Sequence, residues 1–270
     1  MLVAVAPRPV IQETLYDISG CRFIEKDGVF TSDDKPDNFR EIRKKFWERE
    51  IDIFIKMPPA LPYRLFLADM DSTIVAHESL DVMAEKMGIG AKVEEITRRA
   101  MAGEINFRAA FFERLNLLTG FSADMLNELL DEMQLNEGAA ELVQALKRMK
   151  IFTAIVSGGP TDFTTRAAER AGFDYHHGNT LHKNTDGSLS GEARPPLLGR
   201  AEKKKILEDY CLTLDITPAQ IISIGDGAND LDMFAASGCP IGYRAKQIVA
   251  DSIDNVIMFT PLTSVLHIIK

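Results

Sequence analysis

The chain has 270 residues, enough for one large domain or two modest ones with a sizeable core. Its 46% hydrophobic and 26% charged content is ordinary for a globular protein, and its net charge of -9 argues against a general nucleic-acid binder. Three widely spaced cysteines, Cys21, Cys211 and Cys239, give neither a disulfide framework nor a zinc pattern. No apolar run is long enough to span a membrane, and no basic start followed by a sustained apolar stretch reads as a signal peptide. The expectation is a cytoplasmic protein with no nucleic-acid or membrane partner.

Residues 1–60 read as a small α+β domain: a strand over 2–6, a helix over 10–18, a polar helix over 37–49 and a strand over 51–55. Arg43, Lys44 and Lys45 read as a solvated helix face. Pro58, Pro59 and Pro62 cannot continue a helix or strand, so a semi-rigid linker is expected there. Nothing before it reads as catalytic; a structural, dimerising or ligand-sensing role is expected.

Residues 61–270 then follow an α/β pattern. The run Leu65-Phe66-Leu67-Ala68 has the length and composition of a buried parallel strand, and it stops at Asp69 and Asp71. Residues two apart in an extended chain face one side, so the two carboxylates share a small volume and call for a cation or a shared proton. Four helical segments follow within 77–135. They include an apolar stripe of Met125, Leu126, Leu129, Leu130 and Met133 behind a Ser122 cap, and they read as a helical insertion able to cover a site. A second buried strand ends in Ser157-Gly158-Gly159, offering a hydroxyl and backbone N–H groups suited to phosphate oxygens. Asn184-Thr185-Asp186-Gly187 marks a hairpin, and a helix from Ala201 opens with Lys203, Lys204 and Lys205. A third strand ends in Gly225-Asp226-Gly227-Ala228-Asn229-Asp230, and a short strand over 255–259 and a helix over 263–269 close the chain.

Competing motifs fail on specific residues. A calcium loop starting at Asp69 would need Gly where Ile74 stands and Glu where Leu80 stands. A zinc-protease helix from His77 would need a second His at Asp81, and a dinucleotide turn from Gly225 would need Gly at Asp230. His176 and His177 read as ordinary packing or surface residues.

Three strand ends therefore carry, in order, DxDST, SGG and GDGAND, with a lysine cluster between the second and third. This combination resembles the haloacid dehalogenase superfamily of phosphotransferases, and over about residues 62–270 its phosphoserine-hydrolysing branch. Further carriers are Glu78, the run 96–101, Gly103, Phe107 and Arg114. The resemblance implies a doubly wound parallel sheet with a helical-bundle cap at 77–135. It implies Mg²⁺-dependent hydrolysis of a small phosphomonoester, phosphoserine, through an aspartyl-phosphate.

By that resemblance Asp69 is the nucleophile and Asp71 the general acid and base. Lys203 is the cation beside them, with Lys204 the second candidate. The metal ligands are Asp69, the main-chain carbonyl of Asp71, and Asp226, with Asn229 and Asp230 orienting that shell. Ser157 and Gly158 donate to phosphoryl oxygens, while Glu78 and Arg114 meet the ammonium and carboxylate of the substrate. Pro160, where the family has an aromatic residue, and the bulky Phe111-Phe112 pair leave another small phosphorylated metabolite open as substrate. A catalytically retired ligand sensor is the reading from a different class. A homodimer stays open.

Overall fold

A computed structural model of the chain describes residues 1–8, 10, 12–26, 28–34, 36–101 and 104–270, with Met101 and Phe107 placed by backbone alone. Gly103, and the side chains of Met101 and Phe107, lie outside the described residues. The first unit runs β1 (Leu2–Val5), α1 (Gln12–Ser19), β2 (Ile24–Lys26), β3 (Val29–Ser32), α2 (Phe39–Trp47) and β4 (Asp52–Ile55). Its strands form an antiparallel sheet in the order β2-β3-β1-β4. Leu15, Phe23, Phe46 and Ile53 are buried between sheet and helices, in a cluster of their own.

Two details depart from expectation. The hairpin β2–β3 has no signal in its first strand, because Ile24, Glu25 and Lys26 are all exposed and alternate nothing; pairing to β3 alone defines it. Arg43 is not part of a solvated face. It is fully buried, it lies over the Trp47 ring at 4.7 Å, and it donates to the backbone carbonyls of Ala250, Ile253 and Asp254. Lys44 and Lys45 are exposed, as expected.

The second unit is a six-stranded, all-parallel sheet whose strands lie in the order Val256–Ile257, Cys239–Tyr243, Ile221–Gly225, Leu65–Ala68, Phe152–Pro160 and Tyr175–Asn179. It begins with β5 (Leu65–Ala68), whose four residues are all buried. Leu65 and Leu67 pack into one apolar cluster, and Phe66 and Ala68 into another. A strand covered on both faces reads as a continuous apolar run, which is why LFLA does not alternate.

Four helices leave the sheet after β5: α3 (Ser79–Lys86), α4 (Gly90–Met101), α5 (Phe107–Leu117) and α6 (Ala123–Glu132). Ser122 Oγ caps α6 by accepting from Met125 N at 3.2 Å, and Asn106 caps α5 through Ala109 N at 2.9 Å. The chain returns through α7 (Ala139–Arg148), β6 (Phe152–Pro160), α8 (Thr161–Ala171) and β7 (Tyr175–Asn179).

The hairpin β8 (Leu181–Lys183) and β9 (Leu189–Ala193) then reaches back to the helices, where Gly120 N donates to Leu189 O and Leu189 N to Phe121 O. The rest is α9 (Arg200–Leu214), β10 (Ile221–Gly225), α10 (Leu231–Ala235), β11 (Cys239–Tyr243), α11 (Gln247–Ala250), β12 (Val256–Ile257) and α12 (Val265–Ile269). Strand β11 was not expected, because Pro240 and Gly242 depress strand propensity; parallel pairing with β10 overrides it.

Register decides where chemistry collects. Ala68 stands opposite Ile155 on one side and Ile224 on the other. The next residues of the three central strands, carrying Asp69, Ser157 and Asp226, therefore emerge together at the carboxyl edge, where α/β ligands bind.

Candidate active site

At that edge a cavity of about 210 Å³ is lined by Asp69, Asp71, Glu78, Arg114, Ser157 and Asp226, among others. Gly158 and Asn229 line it too. Of the catalytic, metal-site and substrate-binding residues read from the sequence, Lys203 and Asp230 are not in the wall; both lie fully buried. Lys203 and Leu207 are the buried residues of α9, one turn apart, while Lys204 is half-exposed beside Glu208. Lys203 Nζ sits 2.8 Å from Asp69 Oδ2 and 2.7 Å from Asp230 Oδ1. Burial opposes charge on that ammonium, yet Asp230 and Asp69 together raise its pKa.

Asp69 is nearly buried, with Oδ1 accepting from Met70 N at 2.7 Å and Oδ2 from Asn229 Nδ2 at 3.2 Å. Asp71, in the same wall, accepts from Ser79 N at 3.1 Å and Ser79 Oγ at 3.0 Å. Burial first, then the charges of Glu78 and Asp69, push the Asp71 carboxyl well above the usual carboxylate range. Two carboxylates one residue apart thus have different environments: one against an ammonium, the other in a pocket that favours its proton.

Ser72 takes a left-handed backbone conformation, with φ of 55°. Its hydroxyl donates to Glu78 Oε1 at 2.8 Å, which anchors Glu78 at the head of α3. Burial raises the Glu78 carboxyl as well. Arg114 Nε donates to Ala110 O at 3.3 Å; burial lowers its pKa, offset by Asp81, Glu78 and Asp71. On the facing strand end, Gly159 N donates to Ser157 Oγ at 3.0 Å, so the Ser157 hydroxyl proton is directed elsewhere.

Glycine is required here by close approach. A Cβ on Gly159 would lie 2.8 Å from Asp71 Oδ2 and 2.9 Å from Ser79 Oγ, and one on Gly225 would lie 2.3 Å from Asp230 Oδ2.

Carboxylate oxygens of Asp69, Asp226 and Asp230 all lie within 4.8 Å of one another, a hard oxygen donor set of the kind that holds a divalent cation. Five carboxylates (Asp69, Asp71, Glu78, Asp81 and Asp226) line the cavity against two cations, Arg114 and Lys246. A phosphomonoester, itself an anion, needs more positive charge than that wall provides, so the residues fit a bound metal ion. Asp230, expected to orient the metal shell, brings a carboxylate oxygen of its own into this cluster; sequence reasoning did not anticipate Ser79, Asp81 and Lys246 in the wall. Lys246 follows β11, the strand hidden by its Pro and Gly, so no visible strand end pointed to it. Phe111, buried, supplies an aromatic face to the cavity. Pro160 instead starts α8.

Comparison with known proteins gives these features a family. The sequence pattern of the haloacid dehalogenase-like hydrolases matches residues 63–238. A phosphoserine phosphatase of Archaeoglobus fulgidus is 38% identical over 207 residues, 77% of this chain and 60% of that relative. The chain thus matches well under two thirds of that relative's length. A phosphoserine phosphatase of Albidiferax ferrireducens is 40% identical over 70% of this chain and 82% of its own. Among solved structures, a HAD family hydrolase, t0658, from Salmonella enterica superposes with a TM-score of 0.90 at 30% identity. That match covers 100% of this chain and 98% of the other. No helix among the described residues is long and apolar enough to cross a membrane. The ordered strand-end motifs, the parallel sheet that gathers them and these matches agree: the chain belongs to the haloacid dehalogenase-like hydrolases.

Proposed function

We propose that this chain is a Mg²⁺-dependent phosphoserine phosphatase that converts O-phospho-L-serine to serine and phosphate. The observation that carries the reading is one small cavity in which Asp69, backed by Lys203, faces Glu78 and Arg114. A ligand with phosphate at one end and an ammonium and a carboxylate at the other matches that layout. The similarity to phosphoserine phosphatases over most of the chain supports it.

In the proposed mechanism a carboxylate oxygen of Asp69 attacks phosphorus and the ester P–O bond breaks, leaving an aspartyl-phosphate. Asp71, its proton held by burial, gives that proton to the departing serine oxygen. A water then attacks phosphorus, Asp71 takes its proton, and Asp69 is released as a carboxylate with inorganic phosphate. Lys203 keeps Asp69 neutralised throughout, and Ser157 Oγ and the Gly158 N–H donate to the phosphoryl oxygens. Asp69, the main-chain carbonyl of Asp71 and Asp226 would hold Mg²⁺, with Asn229 and Asp230 orienting them. The ion would offset phosphoryl charge. In the same proposal residues 61–270 carry catalysis, 77–135 form the cap that selects the leaving group, and 1–60 form a separate appended domain.

A second reading, a larger phosphorylated metabolite as substrate, is favoured by one observation. An outer cleft of about 880 Å³, with Arg108 and Arg200 in its wall, shares Arg114, Asn229 and Lys246 with the inner cavity. Phosphate release from a panel of small monoesters, with Mg²⁺ and with EDTA, separates the two. Preference for L-phosphoserine, abolished by EDTA, supports the first. Turnover of bulkier monoesters with phosphoserine intact discards the substrate and keeps the Asp69 chemistry.

A further inference from the structure

Lys246 is a residue of the site that the mechanism above leaves without work. Its backbone is fixed: Lys246 N donates to Asp226 O at 2.8 Å, and its carbonyl accepts from Val249 N and Ala250 N at the start of α11. Its side chain is not fixed in the same way, being 54% exposed and reaching inward to place Nζ 3.0 Å from Asp226 Oδ2. It lines both the inner cavity and the outer cleft. The other ammonium at the site, Lys203, is committed to Asp69 and Asp230 in the buried layer. Of the two cations in the cavity wall, Lys246 alone is ion-paired to one of the clustered carboxylates. Burial works against its charge, but Asp226, then Glu78 and Asp69, raise its pKa.

An ammonium 3.0 Å from a carboxylate oxygen is placed to neutralise it when nothing else does. A divalent cation bound by the same carboxylate would repel that ammonium, and a long, half-exposed side chain can leave at low cost. Glu78 stays within its field, and the phosphate end of a ligand in the same cavity is a stronger anion for it to meet.

We propose that Lys246 is a positioning residue that exchanges partners. It neutralises Asp226 when the acidic cluster lacks a divalent cation, and it turns to the bound phosphoryl or phosphate oxygens when the cluster is filled. This rests on the reading that Asp69, the main-chain carbonyl of Asp71 and Asp226 hold such a cation, with Asp230 orienting them.

The test is calorimetric titration of MgCl₂ into the substrate-free full chain, for the wild type, Lys246→Gln and Lys246→Arg, followed by inorganic phosphate at saturating Mg²⁺. Removing a competing charge should tighten Mg²⁺ about five-fold in Lys246→Gln, while phosphate binds about five-fold more weakly. Lys246→Arg, which keeps the charge, should stay within about two-fold of wild type in both titrations. Mg²⁺ affinity unchanged or weakened in Lys246→Gln overturns the exchange. So does tightening in Lys246→Arg equal to that in Lys246→Gln, because shape rather than charge would then be responsible. A wild type that binds no Mg²⁺ removes the metal reading and this proposal with it. Mg²⁺ binding as expected without phosphoserine turnover discards the substrate and leaves Lys246 in its role.

Discussion

Two regions of this molecule bury charge, and they do so to opposite ends. At the seam between the two sheets, Arg43 gives its terminal nitrogens to the carbonyls of Ala250, Ile253 and Asp254, although its Nε has no hydrogen-bond partner among the described residues. Asp52 accepts from Met258 N, Phe259 N, Thr260 N and Thr260 Oγ1, at 2.7–3.1 Å. Asn255 continues the pattern by bonding both the N–H and the carbonyl of Ile55. Their partners are mostly backbone groups, which cannot rotate away.

At the strand ends the buried charges face other side chains and a cavity. Asp69, Asp71, Glu78, Asp226 and Asp230 repel one another, and burial is the leading cause that raises the Asp71, Glu78, Asp226 and Asp230 carboxyls above the ordinary carboxylate range. Charge bonded to backbone fixes two sheets together, whereas charge left facing a void remains available to a ligand. The same desolvation cost serves stability in one place and reactivity in the other.

That contrast can be broken, and the largest effect should come from the site. Asp69→Asn should lower phosphomonoester hydrolysis by at least about 10³-fold in a phosphate-release assay. Its Tm should fall less than that of a seam variant, since losing one partner of Lys203 is offset by relief of repulsion among its acidic neighbours. Retained activity would remove Asp69 from the chemistry.

Arg43→Ala should do the reverse. It removes the Arg43 donors from three carbonyls, two of them in buried hydrogen bonds, and should cost about 3 kcal/mol by denaturant unfolding. Its kcat/KM at 25 °C should stay within about three-fold of wild type. A large loss of kcat with unchanged stability would mean that the seam controls the site.

Arg114→Lys sharpens the comparison on the site's own terms. Losing a planar, bidentate donor should raise KM about ten-fold with kcat little changed, because the ion pair is made to substrate and transition state alike. A fall in kcat at constant KM would place Arg114 nearer the phosphoryl group than the proposal does.

The smallest effect concerns Asp52. Burial raises its carboxyl pKa, outweighing the four donors that lower it. A raised folded-state value means that the folded protein binds the proton more tightly than the unfolded chain does. The associated stability is therefore present below the ordinary value of 3.8 and is lost as pH rises through the folded pKa. Unfolding free energy should decline over that interval in the wild type and decline less in Asp52→Asn. Equal slopes would show that the four donors balance burial.

Local sequence determined a good deal here. A four-residue apolar run ending in two acids has the pattern of a buried strand whose end meets a ligand, and hydroxyl-glycine and glycine-acid turns after later strands, repeating that logic, make the combination specific. The helix cap at Ser122, and the i,i+4 pairing of Lys203 with Leu207, are likewise local facts. What needed the tertiary structure is whatever depends on a partner far along the chain. Arg43 looked solvated because its carbonyl partners lie more than 200 residues away. Strand β11 looked like a loop because Pro240 and Gly242 disfavour a strand that only β10 and β12 stabilise. Lys246 was invisible for the same reason. Periodicity and propensity report what a segment prefers alone, and which buried charge is bonded to backbone and which is left facing a cavity is settled only when distant strands pair.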